Sequence, residues 1–76
     1  MTLAEGKIGH DYVIEKLDLP DQTEKRLQAL GMIKGTAVSV LNNKNHGTVI
    51  IKMRSTRLAL GCGISSHIFV RGKEND

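Results

Sequence analysis

The stretch RLQALGMIKGTAVSVL, Arg26 to Leu41, changes its apolar period in the middle. Leu27 and Leu30 stand three apart, as apolar residues do along one face of a helix. Val38 and Val40 stand two apart, as they do on one face of a strand. Gly31 and Gly35 bracket the switch. With Leu30 as the helix C-cap, Gly31 is the next position and takes positive φ at no Cβ penalty. Its N–H then reaches the Gln28 carbonyl, and the Met32 N–H reaches that of Leu27. Met32 is thereby laid against Leu27. In Ile33-Lys34-Gly35-Thr36, Gly35 holds the third position of a type II turn, again at positive φ. The two glycines give two reversals and a strand that starts at once.

Working outward, DLPDQTEKRLQALG on the N-terminal side reads as a helix with Asp21 as N-cap. Glu24 stands three positions on, where a capping box returns a hydrogen bond to the cap. Both carboxylates also favour the positive end of the helix dipole. The helix is expected over about 22–30. It is too short to stand alone in water, so it must pack on a sheet, through Leu27 and Leu30. Thr2 to Gly6 reads as a turn into a first extended segment, Ile8 to Leu17. There Ile8, His10, Tyr12 and Ile14 share one face, and Gly9 marks a bulge or sharp bend.

After the switch, Thr36 to Leu41 is β-branched and alternating, Asn42 to Gly47 is a hairpin loop, and Thr48 to Met53 returns. Arg54-Ser55-Thr56 turns into a strand at Arg57 to Leu60. Gly61-Cys62-Gly63 breaks the pattern, Ile64 to Ser66 fits one helical turn, and His67 to Arg71 closes with Ile68 and Val70 inward. The expectation is one mainly β domain, 1–76. It is a small, partly open barrel of the SH3-like type, with about five strands and one short helix inserted after the first strand.

At 76 residues the core is marginal in size. The single cysteine, Cys62, excludes an intramolecular disulfide framework and suits a reducing compartment. Met1 to Gly6 does not read as a signal peptide, and no apolar run approaches the ~20 residues of a membrane span. A soluble cytoplasmic domain is the expectation. Charge is unevenly placed within the net +3: residues 1–24 carry a balance of −4, whereas Lys25 to Lys73 holds nine basic residues and no acidic one. Such a stretch suits an acidic protein surface, phosphates or anionic lipid; solvated side chains spread around a barrel would give the same count.

Little here points to catalysis. Cys62 and His67 could pair as nucleophile and base, but their spacing spans a glycine turn and a strand start, and no third orienting group is evident. Cys62, His67, His46 and His10 are each acceptable transition-metal ligands, yet no CxxC, HxxxH or HxH spacing brings them together. No cofactor is expected. The basic stretch fits phosphate contacts, but Tyr12 and Phe69 are the only aromatics for a single-strand stacking platform. Neither a Walker-type loop nor a dinucleotide fingerprint is present, because Gly31 and Gly35 lead into a strand and phosphate loops open a helix.

Leu27, Leu30, Gly31, Met32 and Gly35-Thr36 followed by alternating valines resemble the FeoA family of small cytoplasmic partners of the bacterial ferrous iron transporter. Leu3 and Gly6 resemble its opening L-x-x-G, Arg57-Leu58-Ala59-Leu60 its R-x-A-L strand, and Ile68-Phe69-Val70 its closing I-x-V strand. The similarity covers nearly the whole chain. Lys34 stands where the family commonly has proline, and Ser55 where glycine is frequent. Gly61 to Ser65 replaces a segment that is usually charged, which leaves the helical turn there open and Ile64 as an exposed apolar contact.

The resemblance implies an SH3-like barrel that binds the cytoplasmic part of the FeoB transporter and supports or regulates uptake. It would sit peripheral to the inner membrane through that partner alone, without nucleic acid. Lys52, Arg54, Arg57, Met32 and Ile64 are the candidate contacts. Exposed strand edges also allow a weak homo-oligomer. The alternative class is an SH3-like module of metal-responsive transcription regulation, or a small basic nucleic-acid-binding barrel. Regulation of that kind needs a helix-turn-helix beside the barrel, for which the chain has no room.

Overall fold

The computed structural model describes residues 1–44 and 48–73. A 3-10 helix over Leu3–Glu5 precedes β1 (Asp11–Leu17), helix α1 (Asp21–Ala29), β2 (Ala37–Lys44), β3 (Thr48–Met53), β4 (Thr56–Leu60), helix α2 (Cys62–Ser65) and β5 (Ile68–Gly72). The five strands form one antiparallel sheet in the order β4-β3-β2-β1-β5. The mainly β architecture with a helix after the first strand is thus as expected. Two register shifts, between Ile14 and Lys16 against β5 and between Val40 and Asn42 against β3, bend the sheet. Such bulges raise local twist and let a short sheet curl over its own core.

That core alternates along the strands as the period of two requires. Tyr12, Ile14, Val38, Val40, Val49, Ile51, Met53, Leu60, Ile68 and Val70 are buried, joined by Leu3, Leu27 and Met32 from outside the sheet. Each such side chain contributes roughly 1.5–3 kcal/mol of burial. The outer edge of β5 is covered by the N-terminus: Thr2 bridges Phe69, and the Val70 N–H donates to the Met1 carbonyl at 2.8 Å.

The glycine pair behaves as its spacing predicts. Gly31 has φ 104° and Gly35 φ 91°. The Gly31 N–H donates to Gln28 at 2.9 Å, Met32 to Leu27 at 3.0 Å, and Thr36 to Ile33 at 3.0 Å. A helix cap and a type II turn therefore follow one another. The Gly35 N–H also donates to Ile14 at 2.7 Å, and Ile14 returns a bond to Thr36 at 2.9 Å, so the turn is tied to β1.

Several expectations are corrected. Asp21 is not the N-cap: Pro20 holds that position, at φ −55° and ψ 146°, and no side chain caps it. Proline has no N–H for a capping box to receive, so Asp21 becomes the first helical residue and Glu24 accepts from Gln28 Nε2 at 3.3 Å. The capping box lies instead at Thr2 and Glu5. Leu30 does not pack the helix on the sheet but stands 46% exposed, since the cap reverses the chain beyond Leu27. Ile8 is 58% exposed, because the turn over Lys7–His10, with Gly9 at φ 84°, lifts it off the sheet. Strand β2 runs on to Lys44 rather than ending at Leu41, and Asn45, His46 and Gly47 of the expected loop lie outside the described residues. The helical turn left open at Gly61 to Ser65 forms as α2, and Ile64 on it is half-buried against the core.

Candidate functional site

The pleat that sends Val38, Val40, Ile51 and Met53 inward sends Ser39, Lys52 and Arg54 outward. Strand register then fixes their neighbours. Asp11 lies opposite Ser39, Ser39 opposite Lys52, and Lys52 opposite Arg57, one row across four strands. The row opens onto a groove of about 550 Å³ that is also lined by the 33–37 turn and by Lys73 at the end of the chain's described part. Lys73 is held there because its N–H donates to the Asp11 carbonyl at 3.1 Å.

Four cations, Lys34, Lys52, Arg54 and Lys73, and one carboxylate, Asp11, line the groove. The carboxylate is engaged, accepting from Ser39 Oγ at 2.7 Å. Among the described residues none of the four cations is in an ion pair; Arg71 and Glu15 form one elsewhere, at 3.7 Å. Lys52 and Arg57 stand directly opposite one another, where like charges cost stability. Beside them Arg54 has φ 53°, a left-handed conformation at the first position of the two-residue loop between β3 and β4. Both are local costs that the fold tolerates on this face.

An apolar cleft of about 260 Å³ continues the groove, sharing Ile33, Thr36 and Arg54 with it. Leu30 and Ile33 form its exposed apolar wall, at 46% and 51% accessibility, and buried Met53 its floor. Of the candidate contacts named from sequence, Lys52 and Arg54 meet in the groove and Arg57 adjoins Lys52. Met32 is fully buried and is a core residue, its N–H donating to the Leu27 carbonyl in the helix cap. Ile64, half-buried on α2, does not line the groove. Leu30, Ile33, Lys34 and Lys73 escaped sequence reasoning. For Leu30 the signal was its place at the cap, just before the reversal at Gly31; Lys73 is brought in by the Asp11 carbonyl from a distant part of the chain and carries no local signal.

Cys62, His10 and His67 are exposed, and His46 lies outside the described residues. Among the described residues no group of three His, Cys, Asp or Glu is placed to hold a metal ion. Neither aromatic lines the groove; Tyr12 is buried, its hydroxyl accepting from the Lys7 N–H at 2.8 Å. No described helix is long and apolar enough to cross a membrane.

Comparison with known proteins agrees with this fold. The chain is 32% identical over 72 residues to the Fe(2+) transport protein A of Methanocaldococcus jannaschii, covering 95% of this chain and 87% of that one. A crystal structure of Stenotrophomonas maltophilia FeoA complexed with zinc, described as a procaryotic SH3 domain protein, superposes with a TM-score of 0.80. It is 28% identical, over 93% of this chain and 89% of that one. The solution structure of FeoA from Chlorobium tepidum matches with a TM-score of 0.89 at 21% identity, over 100% of this chain and 73% of that one, and speaks for the fold alone. The FeoA domain model matches residues 1–72, and with the SH3-like sheet and its helix-cap-turn-strand unit in place, the chain belongs to the FeoA domain family.

Proposed function

We propose that this protein is a small accessory protein of ferrous iron uptake that docks on the cytoplasmic part of the FeoB transporter and regulates or supports it. Family membership supplies the iron-transport setting. The Stenotrophomonas maltophilia relative has been put forward as a bacterial ferrous iron transport activating factor, which fits an accessory role. The observation that carries docking is the outer face of β2 and β3, where Lys52 and Arg54 line an open groove without an ion pair among the described residues. A protein surface is the occupant such a face suits: with no aromatic in the groove it offers no stacking platform to a nucleic acid. The test is a pull-down of purified full-length FeoB in detergent together with ferrous iron uptake in cells lacking this gene. Association and reduced uptake are expected; no association and normal uptake overturn the reading.

A further inference from the structure

We propose that the groove and its apolar cleft together take an acidic segment of the partner that carries one apolar side chain. The apolar side chain enters between Leu30 and Ile33, and carboxylates beside it lie against Lys52 and Arg54. The inference rests on the docking reading above and names the chemistry of the partner at that same site.

Two independent features select this occupant. The first is continuity: cleft and groove share Ile33, Thr36 and Arg54, so an apolar anchor and a charged flank on one short segment can be held at once. Exposed Leu30 and Ile33 over buried Met53 offer an apolar contact bordered by Arg54 and the hydroxyl residues Thr36, Ser55 and Thr56, the pattern of an interface centre with a polar border. The second is charge. Lys34, Lys52, Arg54 and Lys73 face one engaged carboxylate, and Lys52 meets Arg57 across the ladder with no anion between them. Carboxylates placed there relieve the like-charge contact as well as pairing with each cation, and complementary charge of this kind raises association rate and fixes register. A purely acidic segment would leave the cleft unfilled. A purely apolar one would desolvate the lysines without pairing them.

The experiment measures binding of full-length FeoB in detergent to the wild-type chain and three double variants. These are Lys52→Glu/Arg54→Glu, Leu30→Ser/Ile33→Ser, and Lys25→Glu/Arg26→Glu, the last on the exposed face of α1 and outside the groove. Both groove variants should lose about tenfold or more in affinity, the α1 variant should not, and only the charge variant should lose the salt dependence. Groove variants that bind like the wild type overturn the inference while leaving docking intact. Loss confined to self-association, read by sedimentation, assigns the groove to a second copy and also overturns it.

Wild type that fails to bind FeoB refutes the docking reading instead. The groove's chemistry is then decided by heteronuclear NMR with a synthetic acidic peptide of roughly twelve residues containing one leucine. Shifts confined to Leu30, Ile33, Lys52 and Arg54, weakened when that leucine becomes serine, retain the acidic-apolar chemistry. Equal shifts with inorganic phosphate, or none, overturn it.

Discussion

The side-chain amide of Asn43 donates to the Gly6 carbonyl at 2.8 Å, joining β2 to the N-terminal segment across 37 residues of sequence. The same nitrogen donates to Ala4 at 3.0 Å, so both of its hydrogens are used. This holds the 3-10 helix so that Leu3 is fully buried and Gly6 presses on the sheet. Asn43→Ala removes both bonds and leaves two carbonyls unsatisfied, a loss of about 1–3 kcal/mol. Asn43→Asp turns a carboxylate onto those carbonyls and should cost more than alanine. Urea unfolding compares them; a negligible loss for alanine would show that the carbonyls find water instead, and equal losses would show that the carboxylate turns away from them.

Glycines in this chain are required for two different reasons, which substitution separates. At Gly31 and Gly35 a Cβ would meet nothing within 4 Å, so only the positive φ excludes other residues. Alanine at either should cost on the order of 1 kcal/mol, with asparagine at Gly35 cheaper than valine because it tolerates left-handed backbone. Gly6 has φ −63°, yet a Cβ there would stand 3.0 Å from Val40 Cγ2 and 3.3 Å from Tyr12 Cε2. Its cost should grow with side-chain size and show no preference for asparagine. Thermal unfolding of the three sets distinguishes conformation from crowding.

What was legible in the sequence was whatever short-range chemistry controls. Gly31 and Gly35 announce their turns because few other residues accept that backbone, and alternating valines announce β2. The misplaced residues depend on where the chain goes next. Leu30 fits the helical period but is the C-cap, where the helix ends and the chain turns away; Ile8 fits the strand period but sits on a turn. Asp21 looks like a cap until the proline before it takes that place, while Thr2-x-x-Glu5 carried a capping-box spacing that went unread. The groove could not be read locally, because register pairs Lys52 with Ser39 and Arg57, and the Asp11 carbonyl holds Lys73, from distant parts of the chain.

The N-terminal cap should make stability depend on acid in one interval. Glu5 accepts from the Thr2 N–H at 2.8 Å and the Thr2 hydroxyl at 3.1 Å, and these bonds, backbone first, hold its carboxyl below the ordinary range. A depressed folded value means the contribution is complete above the ordinary glutamate pKa of about 4.3 and fades as pH falls through the lower folded value. Glu5→Gln removes this dependence while other carboxylates titrate alike in both proteins. The wild-type midpoint should therefore fall faster than the variant's below about pH 4.5, the two converging in strong acid. A constant gap from neutral to acid pH would show that the charge on Glu5 is immaterial to the cap.

Arg54 separates fold from function at a single position. At φ 53° it occupies left-handed backbone in the loop where Met53 and Thr56 pair, and the penalty for a Cβ there is about 1–2 kcal/mol. Arg54→Gly removes the penalty but frees the unfolded chain, which takes back roughly 0.5–1 kcal/mol. Arg54→Ala keeps the penalty and gains nothing. Glycine should therefore be the more stable variant, by up to about 1 kcal/mol in urea unfolding. Both delete the same guanidinium from the groove, so both should weaken FeoB binding to the same degree although their stabilities differ. Binding that follows stability instead would make Arg54 a loop residue without a contact of its own. A glycine variant less stable than the alanine one would remove backbone strain from the account.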